Sequence, residues 1–298
     1  MRVEERPLVF DCEGCELIGI VHIPETPRPV GLLAVAAGGI QYRGGCGRQL
    51  VSMARQLAAQ GFPVLRFDHR GHGDSDGALL GFRHMDEDLA RAVQVFRDNV
   101  PSLTHVSMFG GCEAASAIMM SGLGLPAVQS AILANPWVEL EHLAAMASRA
   151  HYRRRLLDPL FWKKLFSGQY NLFAYARDFL GYLARKLGGA GTARQNPGEA
   201  QVETPFEERM LAGMQAFDGQ VLLLKSGQSF LSEEFDQLVA SSAAWRAVCE
   251  RDTVQRQLMP EADQTFATAA SREQLCRSVG DWLARMDQDA ARQPAAGE

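Results

Sequence analysis

Residues 106–115 read Val-Ser-Met-Phe-Gly-Gly-Cys-Glu-Ala-Ala. An apolar run of strand type enters a turn that holds Cys112, and small and apolar residues of helical character follow (AASAIMM). Gly110 stands two positions before the cysteine and Ala114 two positions after it. A side chain lifted out of a tight strand-to-helix turn needs small residues at those two places, because strand and helix pass close together there. Such a turn presents the side chain to a cleft, and the helix N-terminus behind it favours negative charge and lowers a thiol pKa. The competing reading is a buried structural cysteine after a glycine turn; the strand before, the helix after and the position among the other strands favour the turn that displays a nucleophile.

The rest of the chain supplies the frame. Residues 8–10 and 17–22 read as two strands joined by a turn at Glu13-Gly14. Residues 31–37 (GLLAVAA) suit a strand buried on both faces. Strands follow at 63–67, 106–109 and 129–134. Between them, Leu50, Met53, Ala54 and Leu57 mark a helix over 49–60, and Leu89, Ala92, Val93 and Phe96 mark one over 86–99. Alternation stops near Glu139 and returns with a strand at 220–225, a helix at 233–244, a strand at 254–258 and a helix at 272–286. This pattern predicts an α/β class fold: a mostly parallel sheet with helices on both faces and an antiparallel hairpin at one edge.

The interval 139–213 is helical and irregular, rich in aromatics, and includes a Gly-rich solvated stretch over 188–203. It reads as a helical cap inserted into a core of residues 1–138 and 214–286, because the late segment has too few strands for a core of its own. Residues 287–298 read as a polar, disordered tail.

At 298 residues the chain suits one α/β domain with such an insertion. Its formal net charge of −5 predicts no general attraction to nucleic acid. No apolar run approaches the roughly 20 residues of a membrane span, and the charged N-terminus lacks a signal-peptide core, so a cytoplasmic location is expected. Six scattered cysteines suit reduced thiols. Cys12 and Cys15 have the spacing of half a zinc site, but no second half follows, and the reading calls for no metal and no cofactor.

Two further loops flank the cleft. Phe67-Asp-His-Arg-Gly-His-Gly-Asp-Ser75 follows a strand, and its Asp68 and Arg70 read as groups that hold the loop. Gly38-Gly-Ile-Gln-Tyr-Arg-Gly-Gly45 follows the strand at 31–37. Together these features are those of the α/β-hydrolase fold. There, a backbone N–H of Ile40 or Gln41 and that of Glu113 would form the oxyanion hole, while a plain flexible turn accounts equally well for the glycines alone.

The fold orders its catalytic groups as nucleophile, acid, histidine. The acid belongs after the strand at 220–225, where Ser226-Gly-Gln-Ser229 stands; the histidine belongs after 254–258, where Pro260-Glu-Ala-Asp-Gln264 stands. All seven histidines precede residue 152. Gln264 cannot accept a proton, and an unperturbed thiol is only a few per cent ionised near neutrality. The thiol could be activated by the helix N-terminus alone, by His142 or His151 from the cap, or weakly by Asp263 or Glu261; otherwise the fold binds a ligand without turnover.

With those motifs in order, the chain resembles the exosortase A system-associated hydrolase 1 family of α/β-hydrolases, found with bacterial exopolysaccharide and protein-sorting loci. The resemblance rests on LVFDCEG, GGIQYRGG, VLRFDHRGHGDSDG, GGCEAAS, LANPWV, ERMLAG and PEADQTF, and spans most of the chain. It implies a cysteine at the elbow, as here. It also implies Asp where Ser229 stands and His where Gln264 stands, two departures that touch hydrolysis and leave the fold alone. A basic, aromatic-bearing stretch with Arg153, Arg154, Arg155, Lys163 and Lys164 fits contact with an anionic membrane face, steering of an acidic glycan- or lipid-linked substrate, or an ordinary solvated helix face. The readings that follow are a cysteine-dependent esterase or thioesterase acting on a small-molecule, lipid- or glycan-linked ester, a binding protein that keeps the cleft, and an interaction module that docks through the cap.

Overall fold

The computed structural model describes residues 2–38, 42–139 and 204–292. They belong to one compact unit drawn from both sides of the interval 140–203. Eight described strands form one sheet in the order β1-β2-β4-β3-β5-β6-β7-β8. They are β1 (Val3–Cys12), β2 (Cys15–Pro24), β3 (Val30–Val35), β4 (Val64–Phe67), β5 (His105–Gly111), β6 (Val128–Ala134), β7 (Gln220–Gln228) and β8 (Val254–Asp263). The pairs β1–β2 and β2–β4 are antiparallel and the rest are parallel. The described helices are α1 (Gln49–Ala59), α2 (Asp86–Asn99), α3 (Glu113–Ala117), α4 (Phe206–Ala216), α5 (Phe230–Ser241), α6 (Ala243–Cys249) and α7 (Ala269–Arg292). The expected mostly parallel α/β sheet with an antiparallel edge is therefore the fold.

The first hairpin turns at Glu13 (φ 52) and Gly14 (φ 76), with Cys12 opposite Cys15. Two left-handed residues in a row give the turn whose twist matches the flanking strands. All six cysteines are free thiols.

Strand β3 is buried at every position, as a central parallel strand must be. Val30, Leu32 and Ala34 pack in one cluster with Met53, Ala54 and Leu57 of α1 and with Leu275, Val279 and Leu283 of α7. Gly31 faces the other way, where a Cβ would lie 2.9 Å from Phe96 of α2. Alternate residues of one strand thus meet helices on opposite faces, and the lack of a side chain at Gly31 lets α2 come close.

Several expected boundaries move. Strands β1, β7 and β8 run longer than their apolar stretches because hydrogen bonding continues past the hydrophobic residues. The helix expected over 233–244 is two helices, broken at Ser242, whose extended backbone lets its hydroxyl accept from Trp245 N at 3.4 Å. The polar tail expected from Asp287 is helical through Arg292: Ala290 still packs on the core, and Asp287 pairs with Arg28 at 2.6 Å. The boundary expected at 213 cuts through α4, which buries Phe206, Met210 and Met214. At Gly213 a Cβ would lie 1.9 Å from the Met119 carbonyl oxygen, so α4 is seated on the segment after α3. Residues 140–203 of the expected cap lie outside the described residues, together with His142, His151, Arg153, Arg154, Arg155, Lys163 and Lys164. Among the described residues no helix is long and apolar enough to cross a membrane.

Candidate active site

Strand β5 ends at Gly111, and Cys112 follows at φ 56, ψ −124, a backbone state that L residues rarely adopt. Helix α3 starts at the next residue and continues into a π-helical segment, Ile118–Gly122. The turn is held from several sides. Cys112 N donates to Ala134 O at 2.9 Å, while Cys112 O accepts from Ala115 N at 3.0 Å and Trp137 N at 3.3 Å. Ser116 Oγ donates to Trp137 O at 2.7 Å. The small residues act as the sequence requires: a Cβ on Gly110 would lie 2.8 Å from the Ala114 carbonyl carbon and 2.7 Å from Ile118 Cδ1. Gly111 points into open space, with Ala134 O the nearest atom at 3.8 Å.

Residues far apart in the chain gather beside this turn. Ser229, buried at the N-cap of α5, accepts from Ser232 N at 3.3 Å and donates its own hydrogen to Gln264 Oε1. That donation orients the carboxamide: the oxygen faces Ser229 and the NH2 lies on its other side. The Gln264 side chain favours the Cys112 thiolate. Its buried Nε2 has no well-formed hydrogen-bond acceptor among the described residues, so its influence on the sulfur is that of a nearby dipole. Asn135, at the end of β6, supports the same loop. It exchanges hydrogen bonds of 2.8 Å with Ser226 N and Oγ and reaches Gln264 O at 3.5 Å. The sequence reading quoted Asn135 only within LANPWV and gave it no role; the signal available was an Asn-Pro pair directly after a buried strand.

Burial pushes the Cys112 thiol above its ordinary pKa. The Glu113 backbone N–H and Gln264 oppose this, while the charges of Glu113 and Cys46 add to it. The expected lowering by a helix N-terminus does not prevail, because desolvation of the thiolate outweighs the donors around it. Glu113 is itself half-buried and its carboxyl is raised by burial, against the pull of Arg83 and His72.

Of the expected oxyanion donors, Glu113 N is at the elbow, while Ile40 and Gln41 lie outside the described residues. Asp263, expected as a weak base, has Oδ1 committed to its own turn, accepting from Thr265 N and Ala267 N at 3.0 Å each. Glu261 is exposed and accepts from Gln228 at 3.3 Å. The loop after β4 is held as expected: fully buried Asp68 accepts from Arg43 N, pairs with the Arg43 guanidinium, and accepts from Asp74 N at 3.1 Å. Arg70 pairs with Asp88 of α2 at 3.1 Å. His69 and His72 stack at 4.6 Å, each with one buried ring nitrogen lacking a partner among the described residues. No group of three or more His, Cys, Asp or Glu is placed to hold a metal ion among the described residues.

A family model described as Hydrolase_4, serine aminopeptidase, S33, matches residues 29–180, just over half of the chain. The chain belongs to the Hydrolase_4 family. Similar solved structures share its fold at low identity. An esterase of Pyrococcus furiosus superposes with a TM-score of 0.61 at 16% identity, over 95% of this chain and 92% of that one. A Xanthomonas campestris protein described as an α/β serine hydrolase without lid gives 0.54 at 15%, over 95% of each chain. Est1E of Butyrivibrio proteoclasticus, solved with ferulic acid, gives 0.54 at 16%, over 93% and 98%. No curated protein matches the sequence. As a Hydrolase_4 member the chain has an α/β-hydrolase core.

Proposed function

We propose that this chain is an acyl-transfer hydrolase of esterase or thioesterase type, with Cys112 as its nucleophile. The observation that carries the reading is the Cys112 backbone at φ 56, ψ −124. Such a conformation in a non-glycine residue costs about 1–3 kcal/mol and persists only where its surroundings impose it, as the hydrogen bonds to Ala134 and Trp137 do here. Family membership and the esterases among the structural neighbours support the same chemistry.

Cys112 attacks the acyl carbon, the Glu113 N–H stabilises the oxyanion, and a thioester forms as the alcohol or thiol departs. Backbone donors at Ile40 or Gln41 complete the oxyanion hole. Ser229 and Gln264 occupy the acid and histidine positions and form a fixed donor relay, one that orients an N–H toward the sulfur and carries no proton away. The substrate is a small, lipid-linked or glycan-linked ester of a bacterial exopolysaccharide system, handled in the cytoplasm. The basic segment Arg153–Arg155 with Lys163 and Lys164 supplies contact with an anionic surface.

A second reading follows from Gln264, which cannot accept a proton: the cleft binds an ester-like ligand without turnover. The two are separated by mixing the full chain with an activated short-chain thioester and weighing the protein after quenching. One acyl group on Cys112, absent in Cys112→Ala, supports the acyl-transfer reading. Unmodified Cys112 with no thiol released from the ester, alongside its saturable binding, overturns it in favour of the second.

A further inference from the structure

The attack just described releases a thiol proton, and Gln264 cannot take it. The carboxylates near the cleft can be compared one by one. Asp68 is consumed by Arg43 and Asp74 N, Asp88 by Arg70, Asp263 by the amides of its own turn, and Glu261 is at the surface with Gln228. Glu113 differs from all of them. Among the described residues no donor hydrogen-bonds its carboxylate and no cation pairs with it within 4.0 Å.

Its position is set by the sheet. Val35 of β3 is paired with Gly110 of β5, and Gly38 and Glu113 each lie three residues beyond that pair. They therefore meet at the same level above the strand ends. A Cβ on Gly38 would lie 2.6 Å from Glu113 Oε2 and 3.3 Å from Glu113 Cβ. The carboxylate thus rests on the backbone where the loop after β3 begins, one residue from the thiol, and side-chain-free Gly38 (φ 85) makes the room. Its charge is felt by the Cys112 thiol, and burial raises its own pKa, which makes it a stronger base than a solvated glutamate.

We propose that the Glu113 carboxylate, through one bridging water, is the proton acceptor for Cys112. This rests on the reading of Cys112 as nucleophile. As sulfur bonds to the acyl carbon, the S–H proton passes to a Glu113 oxygen and the carbonyl π electrons move to the oxyanion. When the oxyanion collapses, the bond to the leaving oxygen or sulfur breaks and that atom takes the proton from Glu113. In the second half, water gives its proton to the carboxylate as it attacks the thioester, and the departing Cys112 sulfur takes the proton back. The groups facing this pair among the described residues are Arg83 and His72 on Glu113, and Cys46 and Gln264 on Cys112.

The test is the rate of Cys112 acylation by p-nitrophenyl acetate, read by stopped flow from about pH 5 to about pH 11, in the full chain, Glu113→Gln and Cys112→Ala. The proposal expects Glu113→Gln to acylate on the order of 10²-fold more slowly at pH 7, yet to match wild type above the thiol's own pKa, where no acceptor is needed. If the carboxylate only repels the thiolate, the same variant acylates as fast or faster at pH 7, and the proposal is overturned while Cys112 stands. If Cys112→Ala acylates like wild type, the nucleophile reading itself fails, and this proposal with it. Should Glu113→Gln not fold, Glu113→Ala with added formate serves: restored acylation supports the acceptor role, and a rate indifferent to formate contradicts it.

Discussion

Ser229 donates its hydroxyl hydrogen to Gln264 Oε1, joining the first turn of α5 to the loop after β8. Two residues 35 positions apart are thus joined, and under the proposed function they stand in the acid and histidine positions. Under that reading, installing an acid and an imidazole at these two positions should change the chemistry. Gln264→His should raise the acylation rate at neutral pH by at least about tenfold, since a positioned base contributes roughly 10²–10⁴. Gln264→His with Ser229→Asp should exceed it, because Asp caps a helix as well as Ser does and would fix the imidazole tautomer. Burst kinetics decide the matter, and equal rates in wild type and both variants would show that residue 264 does not face the thiol.

The elbow makes a steric prediction. Gly110→Ala puts a methyl 2.8 Å from the Ala114 carbonyl carbon, whereas Gly111→Ala meets nothing closer than 3.8 Å. Overpacking of the first kind costs about 1–3 kcal/mol, or about 2–4 °C of unfolding temperature per kcal/mol. Thermal unfolding should show that loss for Gly110→Ala, and less than about 0.5 kcal/mol for Gly111→Ala.

Asp68 and Asp74 both pair with Arg43, but Asp68 is fully buried and the Asp74 side chain is 69% exposed. Asp68→Ala leaves the Arg43 amide and the Asp74 amide without an acceptor and should destabilise the fold by about 3 kcal/mol. Asp74→Ala should cost less than about 1 kcal/mol. Denaturant midpoints for the two variants measure the difference, and comparable losses would mean that Asp68 is not the group holding this loop.

His22, fully buried on β2, accepts from Arg66 Nε at 3.0 Å. Burial and the Arg66 charge push its pKa down from 6.5 to about 4, while Glu5 pulls the other way and Arg55 adds to the lowering. The folded state therefore binds fewer protons than the unfolded one between those values. Stability should be unaffected above pH 6.5, fall as pH drops below it, and have lost about 3 kcal/mol once pH is below 4. His22→Gln keeps an acceptor for Arg66 and should flatten that slope, as followed by unfolding temperature against pH; an unchanged slope would assign the pH dependence to other groups.

How much of this was legible in the chain divides along physical lines. Periodicity and turn residues determined the element order, the two-residue turn at Glu13-Gly14, and the strand–Cys112–helix elbow, because each depends on neighbours within a few residues. The position of every histidine before residue 152 determined that the loop after β8 carries no imidazole. Ends were less legible: α7 runs on to Arg292 because Ala290 finds a packing partner that polar composition does not announce. The direction of the Cys112 shift was also decided only in three dimensions, since desolvation depends on what covers the thiol and the local motif records only the donors. The same holds for Asn135 bracing the Gln264 loop and for Glu113 resting on Gly38, which are contacts between strands brought together by parallel pairing. Local sequence determined which groups stand at the elbow; the tertiary structure decided what covers the thiol and which of its neighbours are tied up by partners among the described residues.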